Sequence, residues 1–172
     1  MSILLNPFIK YPSAGGGPTD TGWLFPTSSN QYSGDDNWIN LAYIYNDDTN
    51  HASVGVDDRN QSAILRAGGY GFAIPDGADI LGVEVEVDRY APDDDLYEDF
   101  EQLLTGGTLA GNNRANNSQI LPKSSNALVI GSSSDLWGLA NGTTITAAIC
   151  NHPGFGFALG IVEDDRDGTT LG

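Results

Sequence analysis

The chain has 172 residues, room for one domain of ordinary size and a short appendage. Its 23 acidic residues against 7 basic ones leave a formal net charge of −16, a surface field that repels phosphate backbones and anionic bilayers, so contact with nucleic acid or membrane is not expected. A single cysteine, Cys150, excludes an intrachain disulfide, and no stretch approaches the roughly 20 apolar residues of a membrane span.

Hydrophobic residues make up 40% of the chain, and the rest is dominated by Gly, Asn, Asp, Ser and Thr, a composition of strands and turns. An all-β chain is predicted. The apolar run of Met1–Phe8 is too short for a secretory signal and lacks a basic start, which predicts synthesis in the cytosol.

Residues 1–20 combine Ile3, Leu4, Leu5, Phe8, Ile9 and Tyr11 with Pro7, Pro12, Gly15-Gly16-Gly17 and Pro18. Two readings fit: an extended arm that docks on a neighbour, or the first strand of the chain's own domain. The first divides the chain into an arm over 1–20 and a sandwich domain over 21–172. Trp38–Tyr45 is rich in aromatic and β-branched residues and closes with Asn46-Asp47-Asp48-Thr49-Asn50, which predicts a strand and a turn. In the apolar stretch Ser62–Ile74, Gly68-Gly69 and Gly71 mark a bulge or a close backbone approach, and Pro75-Asp76-Gly77 is a turn.

The clearest alternation sets Leu81, Val83, Val85 and Val87 against Gly82, Glu84, Glu86 and Asp88, the pattern of a half-buried antiparallel strand. Leu96–Leu104 is legible at either period, and its place after an acidic loop favours a strand. Loop chemistry over Gly111–Ser118 precedes a strand at Ala127–Ile130, with further strands at Thr144–Cys150 and Phe155–Val162. Short strands at this spacing, with no helix long enough for a crossover, predict an antiparallel β-sandwich or a barrel, of which the sandwich is preferred.

Candidate sites are sparse. Cys150 and His152 would share a strand face but lack a third orienting group, and a small buried thiol is the better account. With His51 the only other histidine, a zinc site has too few ligands, and no cofactor is expected. Glu163, Asp165, Asp167 and Gly168 follow the first half of a calcium loop, but its twelfth position would fall past Gly172, so any site there is weak. Asp57-Asp58 and Asp93-Asp94-Asp95 read as solvated turns. Paired carboxylates could hydrolyse glycosides, yet with 23 acids almost any pair can be nominated. The Asn-x-Ser/Thr triplets at Asn60, Asn116 and Asn141 are expected by chance in such a composition. Trp137, flanked by Leu136 and Leu139, reads as a core or interface anchor rather than a ligand platform.

Four segments, Phe72–Val85, Gly111–Ala115, Ser133–Gly138 and Phe155–Leu159, resemble in order and spacing a family of β-sandwich proteins of tailed-bacteriophage particles. That family spans capsid cement, neck and tail-appendage components, and the resemblance covers Gly69–Val162. It implies a jelly-roll-like or immunoglobulin-like sandwich without catalytic residues. It further implies a non-enzymatic cement or decoration protein, made in the host cytoplasm and placed on the outer surface of the virion. Its partners would be the major capsid protein and itself, as a homotrimer. A tail or neck appendage with a receptor- or glycan-binding loop at Asn112–Ser125, and a carboxylate polysaccharide hydrolase, are the alternatives. The family pattern continues with another strand where this chain has Gly168-Thr169-Thr170-Leu171-Gly172, which implies an open edge beside Phe155–Leu159, filled by the arm or by a neighbouring subunit.

Overall fold

The computed structural model describes residues 2–12, 17–48, 50–57, 60–93 and 95–163, with the backbone alone for 2–6. Two antiparallel five-stranded sheets form an all-β sandwich, as the composition and turn spacing predict. In the first sheet, β1 (Ser2–Pro12) pairs with β6 (Gly82–Tyr90), and β9 (Asn126–Ser132) lies on the far side of β6. The short strands β2 (Pro18–Asp20) and β4 (Ala52–Ser53) take the two ends of the other edge of β1. The second sheet runs in the order β3 (Ser28–Tyr32), β5 (Ile64–Gly68), β10 (Gly156–Glu163), β7 (Leu96–Thr105) and β8 (Thr108–Ala110).

The alternation in β6 is realised as read: Val83, Val85 and Val87 are fully buried between the sheets, and Glu84, Glu86 and Asp88 face outward, half-buried. Leu81 precedes the strand and is partly exposed, while Ile80 is buried in its place. Opposite the valines, Leu65, Leu103, Phe157, Leu159 and Ile161 form the other half of the core. β10 is buried on both faces through Ile161, because Ile64 and Phe100 close over the outer side at Gly160. At Gly156 a Cβ would lie 1.9 Å from the carbonyl oxygen of Ala67, so glycine is required there by the paired strand and not by the neighbouring phenylalanines.

Several expectations are corrected. Ser2–Pro12 is not a separate arm but an inner strand of the first sheet, in register with β6 from Ser2↔Tyr90 to Lys10↔Gly82, and Ile9 is fully buried. Pro7 is tolerated because odd positions of β1 turn away from β6: the Pro7 carbonyl accepts from Leu24 and the Ile9 carbonyl from Thr21. β10 has no open edge, since β5 and β7 flank it.

Trp38–Tyr45 is not a strand. Asn40 takes a left-handed conformation (φ 57°) and Leu41–Tyr45 forms a 3₁₀ turn that directs Leu41, Ile44 and Tyr45 inward at helical spacing. Thr144–Cys150 likewise gives way to helix α1 (Ala147–Asn151), capped by the Thr146 hydroxyl, which accepts from the Ile149 N–H.

Candidate functional site

The unusual chemistry lies at one end of the sandwich, and a bulge in β7 creates it. Leu96 and Leu103 both face the core although they stand seven positions apart, an odd offset that unbroken alternation forbids. The register against β10 shifts between Gly160↔Phe100 and Ile161↔Glu98, leaving Asp99 as the extra residue. The shift turns both Glu98 and Glu101 inward, where they are 2% and 1% exposed. Arg89 follows Val83, Val85 and Val87 inward from β6, and its guanidinium forms an ion pair with Glu98 that ties the two sheets together.

The loop after β8 runs along the edge of β7 and is fastened to it. Asn113 Oδ1 accepts from the Glu101 N–H at 2.8 Å, the Arg114 N–H donates to the Glu101 carbonyl at 2.8 Å, and the Asn116 N–H donates to Glu98 Oε2 at 2.8 Å. Further on, the Leu121 N–H donates to the Leu96 carbonyl. Between this loop and β9 opens a cleft of about 650 Å³. Arg89 and Glu98 form its floor, Asn116, Ser118 and Gln119 one wall, and Ile120 and Leu128 an apolar rim. An internally neutralised floor with amide and hydroxyl walls suits a neutral, hydroxyl-bearing ligand better than a phosphate.

Glu101 does not line the cleft. Burial, then the charge of Glu98, raise its pKa to about 8 against the opposing pull of Arg89, so its carboxyl is mostly protonated at neutral pH. Its Oε1 is buried with no hydrogen-bond partner among the described residues, which a neutral carboxyl tolerates better than a carboxylate.

Trp137 is a core anchor. It is fully buried, its indole N–H donates to the Val83 carbonyl at 2.9 Å, and its ring meets Phe157 edge-on with centroids 5.9 Å apart. Arg114 lies over the same ring and is held in turn by both carboxylate oxygens of Asp135 at 2.7 Å. Trp137 therefore offers no free face to a ligand or a subunit.

Of the residues assigned to an assembly arm, Ile9 lies in the core, Phe8 packs against Trp23 at 5.1 Å and Tyr11 is half-buried. Ile3, Leu4 and Leu5 are paired by backbone with Arg89, Asp88 and Val87, and their side chains lie outside the described residues. Glu163 ends β10, while Asp165 and Asp167 of the calcium candidate lie outside the described residues. Cys150 and His152 share no strand face: Cys150 is buried on α1 with its thiol pushed up to about 12 by burial, and exposed His152 accepts from the Gly154 N–H. Among the described residues, no three His, Cys, Asp or Glu side chains gather as metal ligands would.

The chain read alone missed Arg89, Glu98 and Glu101. The signal was present in the odd spacing of Leu96 and Leu103 around two glutamates, which demands a change of phase. Comparisons with protein-family models, with curated proteins and with solved structures find no significant match. The structure thus defines the protein as an antiparallel β-sandwich.

Proposed function

We propose that this chain is a non-enzymatic structural protein of a tailed-phage particle, a cement or decoration subunit that binds the major capsid protein on the outer shell and associates as a homotrimer. One observation carries the non-catalytic part: among the described residues, the one carboxylate that lines the cleft is already held by partners. Glu98, the carboxylate of the cleft, is held by Arg89 and Asn116, while Glu101 and Cys150 are buried. Such a surface offers contacts rather than acid–base chemistry. The net charge of −16 suits a position away from packaged DNA. The resemblance in Phe72–Val85, Ser133–Gly138 and Phe155–Leu159 supports the phage assignment.

The cleft favours a second reading, a neck or tail appendage that binds a glycan, because Asn116, Ser118 and Gln119 of its wall belong to the Asn112–Ser125 loop. Against a polysaccharide hydrolase stands the burial of Glu101 away from the cleft. The test is gold-labelled antibody against the purified chain, applied to intact phage particles from cells that carry the coding sequence. Label over the head supports the cement reading, label on the tail or neck the appendage, and unlabelled particles would refute both.

A further inference from the structure

Every sheet in an open sandwich has edges, and four of the edge strands here are kept short or polar. β2 has three residues including Pro18 and Asp20, β4 has two, β8 has three, and β3 is the polar run Ser-Ser-Asn-Gln-Tyr. β9 differs. It has seven residues, Asn-Ala-Leu-Val-Ile-Gly-Ser, with no charge and no proline, in a chain of net charge −16. Its first four residues are exposed in succession, and Leu128 and Val129 remain 37% and 46% accessible. Natural edges of this length are normally blunted by charge, proline or a bulge.

The free hydrogen-bonding groups of β9 can be assigned. Because Pro7 and Ile9 turn away from β6, the even positions of β1 bond to Glu84, Glu86 and Asp88, which leaves Val85 and Val87 to bond across to Ile130 and Leu128. Val83 follows the same rule, receiving the indole N–H of Trp137 and donating to the Asp135 carbonyl. The N–H and C=O groups of Ala127 and Val129, and the N–H of Gly131, therefore point out of the sheet, and the positive φ of Gly131 (85°) ends the alternation there.

Charge indicates the occupant. On the outer face, Gly131, Val129 and Ala127 stand in register with Glu84, Glu86 and Asp88 of β6, and neither Glu84 nor Glu86 is ion-paired among the described residues. A strand added to β9 would run about 10 Å from this acidic row. Lys or Arg side chains on its outer face would lie over Ala127 and Val129 and reach the carboxylates. Its inner-face residues would continue the line of Leu128 toward the cleft rim at Ile120, which calls for apolar side chains. A second copy fits poorly, since pairing two β9 edges would bring two acidic rows together.

We infer that β9 is a docking edge for an extended segment of a partner protein, with basic and apolar residues alternating, which joins the first sheet as a further strand. The edge stands without the virion reading; that the segment belongs to a capsid subunit rests on it.

The test uses the full chain and a fluorescein-labelled peptide of alternating Lys and Val, seven residues long, followed by fluorescence anisotropy at low salt. Controls are a peptide with Glu in place of Lys and one of the same composition with the lysines contiguous. Val129→Pro removes an outward N–H at an edge position that tolerates proline, and Val129→Lys, which sets a like charge beneath the peptide's lysines, is the second variant should the first not fold. The alternating peptide is expected to bind at least tenfold more tightly than either control and to lose at least tenfold with Val129→Pro or with Glu86→Lys. It should also slow hydrogen exchange at the amides of Ala127, Val129 and Gly131. Equal binding to the Val129 variant, or to the contiguous-lysine peptide, would overturn strand addition, as would the absence of binding. A dimer in sedimentation that Val129→Pro dissolves would overturn the choice of occupant in favour of a second copy. Loss of labelling on phage particles would refute the virion reading while leaving a positive peptide result intact.

Discussion

Replacing Glu101 by Gln should stabilise the protein at neutral pH. The native state keeps a proton on Glu101 up to about pH 8, whereas an unfolded glutamate releases it near 4.5, so between these values the folded chain holds more protons than the unfolded one. Stability from this group therefore falls as pH rises through that window, by about 1.4 kcal/mol per pH unit. Carried from 4.5 to pH 7, the cost is about 3 kcal/mol, a substantial part of the roughly 5–15 kcal/mol that holds a domain folded. Glutamine keeps the shape of the neutral acid and does not titrate, so Glu101→Gln should remove this cost. Urea unfolding followed by tryptophan fluorescence, for both proteins at about pH 5, 6, 7 and 8, reads the difference directly. The variant should lead by about 3 kcal/mol at pH 7 and by less than about 1 kcal/mol near pH 5, the gap widening with pH. Parallel pH profiles, or a variant less stable at pH 7, would show that Glu101 is ionised and partnered in the fold.

Val85→Asp should abolish cooperative folding, since Val85 is fully buried between the sheets and an unpaired charge there costs several kcal/mol; a soluble variant with a sharp melting transition would contradict the assignment of that face. Deleting residues 1–12 should give an insoluble or unfolded product rather than a trimmed sandwich, because β1 pairs along the length of β6; circular dichroism of the truncated chain decides. Cys150 should resist thiol reagents in the native protein at about pH 8 and react at once in guanidinium, because burial keeps it protonated; rapid native labelling would show that α1 opens readily.

The all-β class, β6 and its buried valines, β9, β10 and the anchoring role of Trp137 were legible in the chain, because alternation and turn residues act over a few neighbours and the same local pattern recurs in the folded strand. Local chemistry misleads where apolar richness alone suggests an extended strand. Around Leu41–Tyr45 a left-handed Asn40 redirects the chain, and at Ala147–Asn151 a threonine cap starts a helical turn instead of a strand. The place of residues 2–12 depended on β6, more than seventy residues away: the same apolar and proline residues suit an arm or a strand until a partner edge exists that accepts Pro7. The Arg89–Glu98 pair and the protonated Glu101 likewise arise only when a one-residue bulge in β7 reverses the facing of its carboxylates beneath the opposing sheet. Burial of a charge is a property of what packs over it, and here that covering comes from strands and loops distant in the chain.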